Sequence, residues 1–291
     1  MVTQTMTPRL MPAEQHQVSE LGRICFEAFK DIQDKHRITL DFPSIVVARQ
    51  VTSMLVQRED FYSVAALIDG EVVGSNHLSL MDPVAGVGPI TVDPAFQGRG
   101  IGRALMLDVI EYARRYHIER VRLLQEAYNT RSLSLYASLG FEVKDAIVVM
   151  QAVPAERAEE SVRTVSEADL PAIEQLSTRI YKSTRRNEVA SAIRFGFTPS
   201  LREREGRITG YIIPGFFGHG VAETEEDILM LVGEAARRLL PAPTLFLCPL
   251  SEASLYRKAL NAGCRTIKVM NLMALGPYEQ PDELWLPSVL Y

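Results

Sequence analysis

Residues 97–104 read Gln-Gly-Arg-Gly-Ile-Gly-Arg-Ala, after a strand-like run from Gly88 to Pro94 and directly before an amphipathic stretch with the helix period. A strand, a glycine loop and a helix start in series make an anion seat, because glycine opens backbone conformations closed to other residues and the first amides of a helix lack internal partners. Arg99 and Arg103 add positive charge. A dinucleotide fingerprint needs a third glycine where Arg103 stands. A nucleotide P-loop needs Lys and Ser or Thr after its last glycine, and the chain has Gly102, Arg103, Ala104. Both of those phosphate readings fail.

Gln97, Gly100 and Gly102 fit the acetyl-CoA loop of the GCN5-related N-acetyltransferases (GNAT), whose signature is Gln or Arg, two residues, Gly, any residue, Gly or Ala. Downstream, residues 121–127 read as a strand, and the stretch from Asn129 through Tyr136 to Gly140 and Phe141 resembles the family's second motif. The resemblance covers about residues 10–150 and is strongest over 88–141. It implies acetyl-CoA as cosubstrate, no metal, and direct acetyl transfer to an amine of an unidentified small molecule or peptide. The alternative class is a non-catalytic acyl-CoA-binding sensor or assembly module.

The resemblance also assigns roles. Gln97, Gly98, Arg99, Gly100, Ile101, Gly102 and Arg103 would hold the pyrophosphate. Ile90, Thr91 and Val92 would offer backbone groups to the pantetheine arm and the thioester carbonyl. Asn129 and Ser132 would bind the cofactor at the strand end, and Tyr136 would be the general acid. Many members carry a glutamate in the strand before the glycine loop, but residues 85–91 hold no carboxylate. Glu126 is therefore the leading base candidate, followed by His77 and Asp82, with relay through water left open. Residues 25–29, Asp31, Asp41 and Phe42 are candidates for the acceptor wall.

These side chains require elements to position them. Apolar residues recur with the helix period over 17–29, 44–57 and from Leu105 to Ala113; strands are expected over 62–68, 72–80, 87–92, 121–125 and 147–152, with a hairpin turn at Asp69-Gly70 and a helix over 130–139. Residues 154–161 are charged and poor in apolar side chains, which marks a linker. Beyond it the pattern repeats: Val162 opens a strand, Ser166 is a helix cap, and Asp227 to Arg238 echoes Arg103 to Arg115. The fold expected is α/β, two tandem GNAT-like mixed sheets flanked by helices, with a catalytic unit at 1–153 and a degenerate unit at 162–291. The second copy has acids where the first has glycines, and places Glu252 opposite Asn129 and Ala259 opposite Tyr136.

At 291 residues the chain is long enough for two cores, and a net charge of -5 gives no electrostatic basis for a nucleic-acid partner. Cys25, Cys248 and Cys264 lack metal-ligand spacing and read as buried thiols. The N-terminus lacks a signal-peptide pattern and no run is apolar enough to span a membrane, so a cytoplasmic location is expected. The sole tryptophan, Trp285, lies in an apolar tail expected to dock on a core or a partner. Sequence leaves the acceptor, the role of the C-terminal half and homo-oligomer formation open.

Overall fold

The computed structural model describes residues 7–39, 41–216 and 218–291. The polar start at 1–6 lies outside the described residues. The first half runs β1 (Arg9–Pro12), α1 (Val18–His36), α2 (Ile45–Gln57), β2 (Phe61–Ile68), β3 (Glu71–Ser79), β4 (Ala85–Val87), β5 (Thr91–Val92), α3 (Ile101–Arg115), β6 (Val121–Glu126), α4 (Thr130–Ser138) and β7 (Glu142–Gln151). The second runs β8 (Val162–Thr164), α5 (Leu170–Tyr181), α6 (Arg186–Arg194), β9 (Ser200–Arg204), β10 (Arg207–Ile212), β11 (Gly220–Ala222), α7 (Glu225–Arg238), β12 (Leu245–Pro249), α8 (Ala253–Asn261), β13 (Arg265–Leu275) and β14 (Leu284–Leu286).

Local sequence explains the elements around the cleft. Asp69 and Gly70 both take positive φ, 50° and 87°, as a two-residue hairpin turn matched to strand twist requires. The turn joins β2 to β3 in antiparallel register from Phe61 opposite Ser79 to Ile68 opposite Glu71. Alternation then divides the hairpin's two faces. Asn76 faces α3 and donates from Nδ2 to the Leu105 carbonyl at 3.3 Å, whereas Ser63 faces α2 and donates to the Leu55 carbonyl at 3.3 Å. Leu105, Met106, Val109, Ile110 and Ala113 bury the inner face of α3 against Val64, Ala66, Val73 and Leu78. The helix period in the sequence is thus the period of burial.

Residues 87–92, expected as one strand, are two pieces. Gly88 has φ 144° and Pro89 has no amide hydrogen to donate to a ladder, so pairing stops there. β4 runs parallel to β6 at Ala85 opposite Val121, while β5 pairs with β3 at Gly74 opposite Val92. Beyond the break β5 and β6 have different neighbours, and a cleft opens between them.

The two halves exchange strands. The large sheet has the order β1-β2-β3-β4-β6-β13-β7-β12, with β5 paired to β3, and the smaller is β14-β11-β10-β9-β8. β13, from the second half, lies where β7 would close the first half's sheet: it pairs antiparallel with β6 from Val121 opposite Leu275 to Glu126 opposite Met270. β7 in turn stands between β13 and β12.

The internal repeat is visible in detail. Each half begins with a short strand, a turn of 3-10 helix closed by a capping box (Glu14 with Gln17, Ser166 with Asp169) and a long helix. Asn129 and Glu252 both stand at helix N-caps, seven residues before Tyr136 and Ala259. Trp285 is buried on β14, which pairs with β11, so the tail is docked on the second half's core. Cys25, Cys248 and Cys264 are free and buried. Among the described residues, no helix is long and apolar enough to cross a membrane.

Candidate active site

A cleft of about 770 Å³ lies between β5 and β6, floored by the start of α3 and walled by α1, α4 and residues of the second half. The glycine loop forms one end. Gly100 is the N-cap of α3 with φ 91°, and Gly98 has φ 77° with nothing within 4 Å of where a Cβ would stand. No side chain caps α3 and no acid occupies its first turn, so its leading amides face the cleft unclaimed by side chains. Gln97 fixes the loop: its Nε2 donates to the Val92 carbonyl at 3.1 Å and its Oε1 accepts from Arg131 at 3.3 Å. Arg103 lines the same end and donates to Ser138 Oγ at 2.7 Å. Ile90, Thr91, Val92, Ile101 and Gly102 line the wall beside it. The equivalent helix of the second half, α7, offers no such seat, since Thr224 caps it and Glu225, Glu226 and Asp227 fill its first turn.

Asn129 and Ser132 are also in the wall, inside a small network. Asn129 Oδ1 accepts from the Ser132 amide at 3.2 Å, which caps α4 and leaves the Asn129 NH2 as the group able to donate. Gln125 Nε2 donates to the Asn129 carbonyl at 2.8 Å and to Ser132 Oγ at 3.0 Å, and Gln125 Oε1 accepts from Asn271 of β13 at 2.8 Å.

Tyr136 and Glu126 lie in the wall of the same cleft. Tyr136 is buried on α4 with its ring centroid 6.2 Å from that of Phe141, and burial pushes its hydroxyl well above the ordinary phenol range. Glu126, at the end of β6, is 8% exposed. Burial pushes it up to about 7, with Lys268 opposing and the Asp41 charge reinforcing the rise. Lys268 of β13 contacts Glu126 and sits 2.5 Å from Asp41 Oδ1. Glu126 Oε2 and the Tyr128 hydroxyl are buried without a hydrogen-bond partner. Burial, with the charges of Glu126 and Asp41, raises the Tyr128 hydroxyl as well. Phe29, Phe42, Tyr128, His36 and Phe216 give this end an aromatic lining, and Phe29 meets Phe42 edge-on at 5.1 Å.

Some expected residues lie elsewhere. Arg99 is outside the wall, with its guanidinium 5.3 Å from the Phe96 ring centroid and one nitrogen donating to the Ala95 carbonyl. His77 is on the face of β3 under α2, where its Nδ1 meets Ser63 Oγ at 2.8 Å and burial lowers it to about 4. Asp82 accepts from the amides of Asn187 and Glu188 at the start of α6, and ties the halves together. Of the suggested acceptor wall, Ala28, Phe29, Asp31, Asp41 and Phe42 face the cleft, whereas Cys25 and Phe26 pack beneath it. Sequence reading missed Arg131, Tyr128, Lys268 and Asn271. A lysine within the apolar strand 265–275 is the one signal that pointed to any of them.

Residues 24–141 match the profile of the acetyltransferase (GNAT) family. An uncharacterized N-acetyltransferase of Methanocaldococcus jannaschii is 34% identical over 107 residues, which are 34% of this chain and 47% of that protein. The chain thus spans about half the length of this curated relative. A putative acetyltransferase of Pyrococcus horikoshii superposes with a TM-score of 0.78 at 16% identity, over 98% of this chain and 94% of that one. A tandem GNAT protein from the clavulanic acid biosynthesis pathway does so at 0.58 and 16% identity, over 94% and 100%. These likenesses over the whole length show a tandem fold.

Proposed function

We propose, from the premise that the 24–141 segment belongs to the GNAT family of acetyltransferases, that this protein transfers an acetyl group from acetyl-CoA to the amine of a small molecule or peptide. One observation carries the reading: an open glycine loop at an uncapped helix start shares a single cleft with a buried tyrosine and a buried glutamate. The loop suits the cosubstrate because side chains that would fill its seat are missing and cations flank it. Acetyl-CoA would be held by Gln97, Gly98, Gly100, Ile101, Gly102, Arg103 and Arg131 at its phosphates, by Ile90, Thr91 and Val92 along its arm, and by Asn129 and Ser132 at the strand end. Bound there, it supplies an activated acetyl thioester.

The chain's own residues do the rest. The cleft holds two reactants in one orientation, which turns a two-body step into an effectively intramolecular one. Its aromatic end excludes water from the reacting amine. Glu126, titrating near neutrality, takes a proton from the incoming ammonium group. Tyr136, kept protonated by burial, holds the proton destined for the leaving sulfur. Along the chain we divide the protein into a catalytic unit at 1–153, a linker at 154–161 and a degenerate unit at 162–291.

Tyr136→Phe tests the chemistry. It removes one oxygen from a buried site, so acetyl-CoA affinity measured by calorimetry stays within about twofold while thiol release with an amine panel falls about 10²–10⁴-fold. Unchanged turnover removes Tyr136 from the mechanism. Wild-type binding of acetyl-CoA with no turnover of any amine favours the sensor reading instead.

A further inference from the structure

We infer that the C-terminal half completes the first half's cleft: Lys268, delivered by the exchanged strand β13, is the counter-charge that holds the Glu126 carboxylate at the cleft wall. The inference rests on the reading of Glu126 as the base of that cleft, and it gives the degenerate half a role in the chemistry.

The geometry is specific. β13 enters between β6 and β7, and its register sets Met270 opposite Glu126, two residues from Lys268. The Lys268 side chain is 2% exposed, and its ammonium touches Glu126, lies 2.5 Å from Asp41 Oδ1 and stands 5.3 Å from the centroid of the Phe216 ring. An ammonium so buried is costly unless paired, and here it has two carboxylates. The cluster holds two acids against one base, with Glu126 Oε2 still lacking a partner. Its net negative charge suits a cationic amine arriving beside Tyr128. Tyr128 is the further titratable group whose charge couples to Glu126; the same cleft is also lined by Asp31, Lys35 and His36 of α1 and by Arg103 and Arg131 at the loop end, with Asp31 paired to Lys35 at 2.5 Å. Asn271, three residues on, braces the cofactor side of the same cleft through Gln125. One strand of the second half therefore reaches both ends of the first half's site.

Lys268 is thus a positioning residue, and its effect is readable without knowing the acceptor. Full-length protein labelled with ¹³C at the glutamate side-chain carboxyls is titrated by NMR, with the Glu126 signal identified by its loss in Glu126→Gln. Lys268→Met is expected to raise the Glu126 midpoint by about 1–3 pH units, Lys268→Arg to leave it near the wild-type value, and Asp41→Asn to lower it. Opposite shifts from two neighbours are not what a general loss of packing produces. Acetyl-CoA affinity stays within about twofold in all three, because the glycine loop is untouched. A Lys268→Met midpoint equal to wild type overturns the inference. Should that variant fail to fold, Lys268→Gln, which keeps a polar contact without the charge, carries the same test, and an unmoved midpoint there overturns it equally. Failure of the base reading shows elsewhere, as full turnover by Glu126→Gln, and leaves these midpoints as they are.

Discussion

Glu126→Gln is the perturbation that isolates the proposed base. In the native cleft Glu126 titrates near 7 because burial outweighs its contact with Lys268. Half the molecules carry the carboxylate at that pH, about a tenth carry it one unit lower, and so kcat/KM falls about tenfold per unit on the acid side. Gln keeps the shape and an acceptor oxygen for Lys268, which retains Asp41 at 2.5 Å, so the fold survives. It cannot take a proton, and kcat/KM at pH 8 drops about 10²–10⁴-fold with the acid limb abolished. The assay is CoA thiol release against pH, from 5.5 to 9, with the best amine of a panel. Stability gives an independent reading with a definite sign. A carboxyl whose folded value is raised from about 4.5 to about 7 binds its proton more tightly when folded, so stability declines as pH rises through that window and levels off above it. Wild type therefore loses Tm relative to Glu126→Gln between pH 5 and 7.5. A flat rate profile from pH 6 to 8, or a variant with native kcat/KM, refutes the assignment.

Three further outcomes follow from the same structure. Asn271→Ala removes the 2.8 Å bond that orients Gln125, and is expected to raise KM for acetyl-CoA several-fold while kcat changes less; an unchanged KM shows that Asn129 needs no such brace. Gly276→Ala would set a Cβ 1.9 Å from the Glu119 carbonyl at a φ of 82°, where β13 leaves the sheet, and urea unfolding should show a loss of at least ~2 kcal/mol. Burial pushes Cys25 and Cys248 up to about 12 and raises Cys264, so native protein resists a disulfide reagent at pH 8 and reacts at all three thiols only in denaturant. Rapid native labelling of Cys25 would contradict its placement beneath the cleft.

Much of this was legible from local pattern. The Asp69-Gly70 turn, the α3 stripe and the glycine loop depend on neighbours within a few residues, and the family resemblance that gives the loop its proposed role rests on two ordered motifs. What failed had non-local causes. His77 and Asn76 are adjacent and equally polar, and only the packing of α2 and α3 on opposite faces decides which way each points. The 87–92 run reads as one strand because Ile90, Thr91 and Val92 favour extended structure, while the break at Gly88 and Pro89 is what opens the cleft. The strand exchange left no periodic trace, since a β13 that closed its own half would carry the same apolar residues. Lys268 was therefore passed over. Its partners, Asp41 and Glu126, are 227 and 142 residues away in the chain.

The proposed mechanism depends first on the uncapped glycine loop seating acetyl-CoA at this cleft. Calorimetric titration of acetyl-CoA into wild type and into the double variant Gly100→Asp/Gly102→Asp tests it directly. Wild type is expected to bind in the micromolar range and the variant to lose binding, because two carboxylates and a side chain at φ 91° would occupy the anion seat. Absence of binding by wild type, or equal binding by both proteins, contradicts it.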